Sequence, residues 1–175
     1  MVQVCVDSEC DFMSKVRLCT VQDRDSIPYI LDGTYKADFN QCYAMDDDTC
    51  YMSYLYMLVN LAKKTGKPFR CDETCIWAWY QNPFLEHHDN LRNIKSDLVV
   101  ITFEVDSKDV LFSDFDLWND MIIDCRSSNS IVELDEIKED QCVQAVLWGI
   151  PKRSILSIES FSEYVMRNSD SLLVA

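Results

Sequence analysis

Apolar residues recur along this chain with two periods, and the changes between them mark its elements. Val16 to Val21 reads as a first strand. The β-branched and aromatic run Val99-Val100-Ile101-Thr102-Phe103 reads as a buried strand. Cys75 to Tyr80, CIWAWY, is a compact aromatic strand closed by Pro83, and Cys142 to Trp148 is another. Gly149-Ile150-Pro151 then makes a turn, and Ser154 to Ile158 is expected to pair back onto the strand before it. Helical spacing appears in three places. Asp25-Ser26-Ile27-Pro28 opens a short helix that Gly33 stops. Asp46-Asp47-Asp48-Thr49 starts a longer one, whose Tyr51, Leu55, Leu58, Val59 and Ala62 share a face until Lys63, Lys64 and Gly66 end it. A closing helix, ESFSEYVMRN, begins near Ser157 or Glu159.

Between these elements the pattern is less regular. After the Val99 strand comes a short turn, then an acidic segment with Phe112, Phe115 and Trp118 set among Asp109, Asp114, Asp116 and Asp120. Residues 84–97 are a polar loop carrying His87 and His88, and Arg126 to Glu133 is rich in serine and expected to be exposed. Strands and helices mix without strict alternation, which predicts an α+β fold: a split mixed or antiparallel sheet with flanking helices. The expected organisation is an N-terminal extension over 1–14, one domain over 15–168, and a tail over 169–175 that frays.

Composition narrows the function. The chain has 175 residues, enough for a proper core, but only three glycines, with no Walker-type or GxGxxG sequence. Its 30 acidic residues against 16 basic give a formal charge of -14. Such a surface repels phosphate backbones, so no direct nucleic-acid binding is expected, whereas a basic protein partner would be steered toward it. Nine cysteines is an odd number, several lie in apolar patterns, and MVQVCVDSEC is not a secretory leader. Reduced, buried thiols in a cytoplasmic protein are the expectation. No apolar run reaches the roughly 18 residues of a membrane helix.

Candidate chemistry is sparse. Cys71, Cys75, His87 and His88 only half fit a zinc spacing, so no metal is expected. The Asp46–Asp48 run suits a helix start better than a cation loop. Asp114 and Asp116 would share a face only in an extended segment. With Asp120 they form the acidic site expected to meet a partner. Trp77 and Trp79 alternate with Ile76, Ala78 and Tyr80, so both indoles lie on one face of their strand.

Four boxes carry a resemblance: Arg17, Thr20 and Gln22 in an RxxTxQ strand; IWAWY; VLFSDFDLW from Val110 to Trp118; and QAVLWGIP from Gln144 to Pro151. Together they look like a bacterial and phage-associated family of unknown function. More remotely, RxxTxQ followed by a helix ending Ile30-Leu31-Asp32-Gly33, with two closing strands, is similar to small ADP-ribosyltransferase-like domains. That similarity implies NAD as cofactor, in a cleft lined by Arg17, Thr20, Gln22, Trp77, Trp79 and Tyr80, with Gln144 as the catalytic candidate holding the ribose. The implied family carries a glutamate near that position, where this chain has Gln144 and Ala145. An amide can bond a ribose hydroxyl but brings no negative charge to an oxocarbenium ion. The alternative is a non-enzymatic acidic protein, an inhibitor that engages a basic surface of a host or phage protein.

Overall fold

A computed structural model describes residues 14–33, 35, 37, 48–68, 74–80, 97–124 and 129–172. The 1–13 part of the expected extension, Pro83, Cys71 and the histidine loop lie outside the described residues. The elements run β1 (Lys15–Asp23), α1 (Ile27–Asp32), α2 (Asp48–Thr65), β2 (Ile76–Tyr80), β3 (Leu98–Asp106), β4 (Leu111–Asp114), α3 (Phe115–Asp124), β5 (Ile131–Val132), β6 (Val143–Leu147), β7 (Ile155–Ser160) and α4 (Phe161–Leu172). Seven strands form one sheet in the order β5-β4-β6-β2-β1-β3-β7, and every pairing is antiparallel. The fold is α+β, as the mixed periods anticipated.

Local chemistry sets the ends of the helices. Pro28 sits in the first turn of α1, and Gly33 closes it at φ 79°, a left-handed conformation that side chains with a Cβ avoid. Gly66 does the same after α2 at φ 67°. Helix α4 begins with a reciprocal box. The Glu163 N–H donates to Ser160 Oγ at 3.3 Å, and the Ser160 N–H donates to Glu163 Oε2 at 3.1 Å. Bonds from Ser160 hold the Glu163 carboxyl below its usual range.

The two faces of the sheet bury different things. On the inner face Leu18, Ala78, Ile101, Phe103, Phe112 and Ala145 join one core with Ile30 of α1. The outer face is covered by helices. Leu111 and Val146 pack under Met57, Leu58 and Leu61 of α2 and Trp118 and Met121 of α3. Cys19 and Val100 pack under Tyr164 of α4. None of the helices among the described residues is long and apolar enough to cross a membrane.

Three expectations change. The last strand, β7, pairs with β3 at the far side of the sheet rather than with β6. Both edges of β6 are already occupied, by β2 and β4, so its ladder has no room for a hairpin partner. The acidic-aromatic box is not one element: Leu111–Asp114 is strand and Phe115–Asp124 is helix. Asp114 and Asp116 therefore share no face. Nor is the serine-rich stretch wholly exposed. Ser130 is fully buried, its hydroxyl accepts from Ser113 Oγ at 3.1 Å, and its carbonyl accepts the Asp114 N–H at 2.8 Å. Paired hydroxyls can be buried because each satisfies the other.

Candidate functional site

Register brings polar side chains into a row across the outer face. Cys19 pairs with Trp79 on one side and Thr102 on the other. Trp79 pairs in turn with Gln144, and Gln144 with Ser113. Arg17 and Lys15 precede Cys19 at intervals of two and so lie on the same face. Helix α4 covers this row only in part. Between α4 and the strands lies a groove of about 590 Å³. Lys15, Arg17 and Cys19 of β1, Trp79 and Tyr80 of β2, and Tyr164 and Arg167 of α4 form much of its wall.

Among the described residues that line the groove the charged ones are all basic, with no carboxylate. Two of its cations are held by neighbours. Lys15 Nζ lies 2.8 Å from Asp106 Oδ1, and Arg167 lies 2.6 Å from Glu159 Oε1. The Lys15–Asp106 bond raises the ammonium's pKa and lowers the carboxyl's. Arg17 makes no ion pair among the described residues, although Glu104 stands opposite it in the β1–β3 register. At the floor, burial pushes the Cys19 thiol up to about 11, and the Tyr164 hydroxyl donates to its sulfur at 3.7 Å. Such a thiol stays protonated and is a poor nucleophile.

The structure divides the expected cleft. Arg17 and Trp79 come together in the groove, and Tyr80 borders it, although the Tyr80 ring turns inward to meet Phe112 at 5.4 Å. Thr20 and Gln22 lie on the opposite face, because they are odd-numbered steps from Arg17 along β1. Their polar atoms are committed there. Thr20 Oγ1 donates to the Trp77 carbonyl at 2.7 Å and accepts from Gln22 Nε2 at 3.0 Å, and Gln22 Oε1 accepts from Tyr35 at 3.0 Å. Trp77 shares the outer face with Trp79, as its spacing anticipated, but packs between Tyr54 of α2 and Trp118 of α3 at 5.9 and 4.8 Å. Gln144 is only 9% exposed and lies on the far side of Trp79 from the groove, which it does not line. These seven residues therefore cannot line a single cleft.

Sequence reasoning missed Lys15, Cys19, Tyr164 and Arg167. The first two carried a signal, since alternation from Arg17 places them beside it. The α4 pair carried none, because nothing local says which strands a closing helix will cover.

The expected acidic site also separates. Asp114 caps α3: its Oδ1 accepts the Leu117 N–H at 2.9 Å, and its Oδ2 accepts from Gln141 Nε2 at 2.7 Å. Asp116 and Asp120 are exposed one helical turn apart. Asp114→Ala should therefore cost about 1–2 kcal/mol in urea denaturation, as lost caps do, while the Asp116→Ala, Asp120→Ala pair stays within about 0.5 kcal/mol. Equal effects would remove the distinction. No group of three or more metal-ligating side chains gathers among the described residues.

An antiparallel seven-stranded sheet with helices on its outer face and a cation-lined groove beside one of them defines the class of protein. The chain belongs to the family described as "Domain of unknown function (DUF3841)", which matches residues 17–125. It is similar to the solved structure "Thermosipho africanus DarTG in complex with ADP-ribose", at 14% identity and a TM-score of 0.39 over 91% of this chain. The match covers 48% of that protein, so this chain corresponds to about half its length. No curated protein matches the sequence.

Proposed function

We propose that the groove between α4 and strands β1 and β2 binds an anionic nucleotide of the NAD or ADP-ribose kind. One observation carries this reading: in a chain of net charge -14, the described residues that line the groove include three cations, Lys15, Arg17 and Arg167, and no carboxylate, and Arg17 is in no ion pair among the described residues. Arg17 is the phosphate ligand, because a guanidinium in no ion pair among the described residues presents its donor fork to oxygens. Trp79 offers an indole against which a base can stack, and Phe115 supports that indole at 5.1 Å. The reading is of binding rather than transfer. Departure of nicotinamide would leave an oxocarbenium-like centre, and the described residues that line the groove include no carboxylate to stabilise it.

Calorimetry with ADP-ribose should show weak, salt-sensitive binding, and Arg17→Ala should abolish it, since the exposed side chain contributes little to stability. No heat with AMP, ADP-ribose or NAD would end the nucleotide reading.

A second reading, engagement of a basic protein, draws on the outward face of α3. There Asp116 and Asp120 are exposed beside Leu117, 38% exposed, and Ile123, 75% exposed. Reversing both aspartates to lysine should slow association with such a partner and leave the melting curve in place.

A further inference from the structure

Two strands end the sheet, and they differ in kind. β5 at one edge is two residues long, Ile131–Val132, whereas β7 at the other runs for six, Ile155–Ser160. β7 pairs with β3 on one side, and among the described residues no strand pairs with it on the other. An antiparallel strand turns alternate N–H and C=O groups to alternate sides, so an edge strand offers half of them outward, where another strand can take them. Natural edges are commonly guarded by lysine, proline or an inward charge. Ile155–Ser160 has neither lysine nor proline, and its one charge, Glu159, is held by Arg167 at 2.6 Å. The register slips once, where Leu156 finds no partner between Thr102 and Phe103. That bulge interrupts the edge at Leu156 and leaves Ser157–Ser160 as its regular part.

Ile158 marks the place where the apolar inner face runs out. It stands opposite Ile101, which is fully buried, yet it is itself 37% exposed, and Leu156 is 53% exposed. Charge tells what can cover them. The flank before β7 is basic, with exposed Lys152 and Arg153, and the flank after it is acidic, with exposed Glu163. Around this strand Lys152, Arg153 and Arg167 offset Glu159 and Glu163, in a chain whose net charge is -14. It is therefore an edge that a second, equally acidic copy can approach without strong repulsion. Arg153 and Glu163 also lie equally far from Ile158 along the chain. A copy laid antiparallel about Ile158 sets each basic flank against the other's acidic flank, whereas a parallel copy would set like against like. We propose that β7 is the edge through which two copies of this chain join, antiparallel about Ile158, so that one sheet runs through both. The two Ile158 side chains then meet at the two-fold axis and cover each other.

Sedimentation equilibrium on the full chain should show a monomer–dimer equilibrium with a dissociation constant of about 10–100 µM, as suits an interface at the small end of the specific range. Ile158→Lys supplies the guard that natural edges carry and should weaken association about tenfold or more, with the melting curve in place. Arg153→Glu changes an exposed residue and should weaken it severalfold, because carboxylates then face carboxylates. If Ile158→Lys does not fold, Arg153→Glu decides. Concentrating the parent protein should slow amide exchange in Ser157–Ser160 and leave Ile131–Val132 unchanged. A chain still monomeric at about 1 mM, where such an equilibrium favours the dimer, would overturn the pairing. So would a dimer that neither substitution weakens, since its contact would then lie elsewhere.

Discussion

Phe112→Ala should be the most damaging single truncation in the box from Val110 to Trp118, costing about 3–5 kcal/mol by urea denaturation. Phe112 is fully buried on the inner face of β4, pairs with Ala145 of β6 and Val132 of β5, and meets the Tyr80 ring edge-on at 5.4 Å. Small Ala145 opposite it cannot fill the space left behind, so the lost transfer energy and the cavity add. Against a typical total of about 5–15 kcal/mol, that loss brings the protein to the edge of folding. Phe115→Ala should cost less, because Phe115 is only half-buried. A Phe112 variant within about 1 kcal/mol of the parent would show that the inner core is not anchored at this strand.

Stability should also fall steeply in alkali, through the pair at the floor of the groove. Burial raises the Cys19 thiol from 9.0 to about 11 and pushes the Tyr164 phenol upward from 10.0. Each group is charged in its deprotonated form, and its folded pKa lies above its unfolded one. The folded state therefore binds these protons more tightly: the stability Cys19 adds is complete below pH 9 and is lost as pH rises through 11, while that of Tyr164 begins to fall only above pH 10 and continues to fall beyond the Cys19 window. A gap of about two units for Cys19 corresponds to roughly 2–3 kcal/mol. The unfolding free energy, followed from pH 8 to 11, should decline over that window. Cys19→Ala should flatten the decline, and Cys19→Ala with Tyr164→Phe should nearly remove it. A parent curve level to pH 11, or a decline untouched in the double variant, would show that this pair is not buried together.

Much of the fold was legible because its causes are local. The helix from Ile27 to Asp32 was marked by Pro28 and Gly33, and the end of α2 by Lys63, Lys64 and Gly66, since a fixed φ, a left-handed stop and the helix dipole each act within one turn. The strands at β1, β2, β3 and β6 were marked by branched and aromatic runs. The VLFSDFDLW box misled because its apolar residues serve two elements. Phe112 follows the strand period into the inner core, and Trp118 follows the helical period into the outer one.

The candidate site was legible only where alternation could be applied. Arg17 and Trp79 fell together, but Thr20 and Gln22 differ in parity from Arg17, and parity sends them through the sheet to the other face. Motif resemblance grouped residues by sequence order and could not see that. By itself, the sequence determined the α+β class, most helix and strand positions, the shared face of Trp77 and Trp79, and the strong negative charge. Tertiary structure decided that β7 joins β3 rather than β6, that α4 lies over Cys19, and that three cations gather in a chain so acidic. Those outcomes depend on which strand edges are already paired and on register across residues far apart in the chain, quantities that no local period encodes.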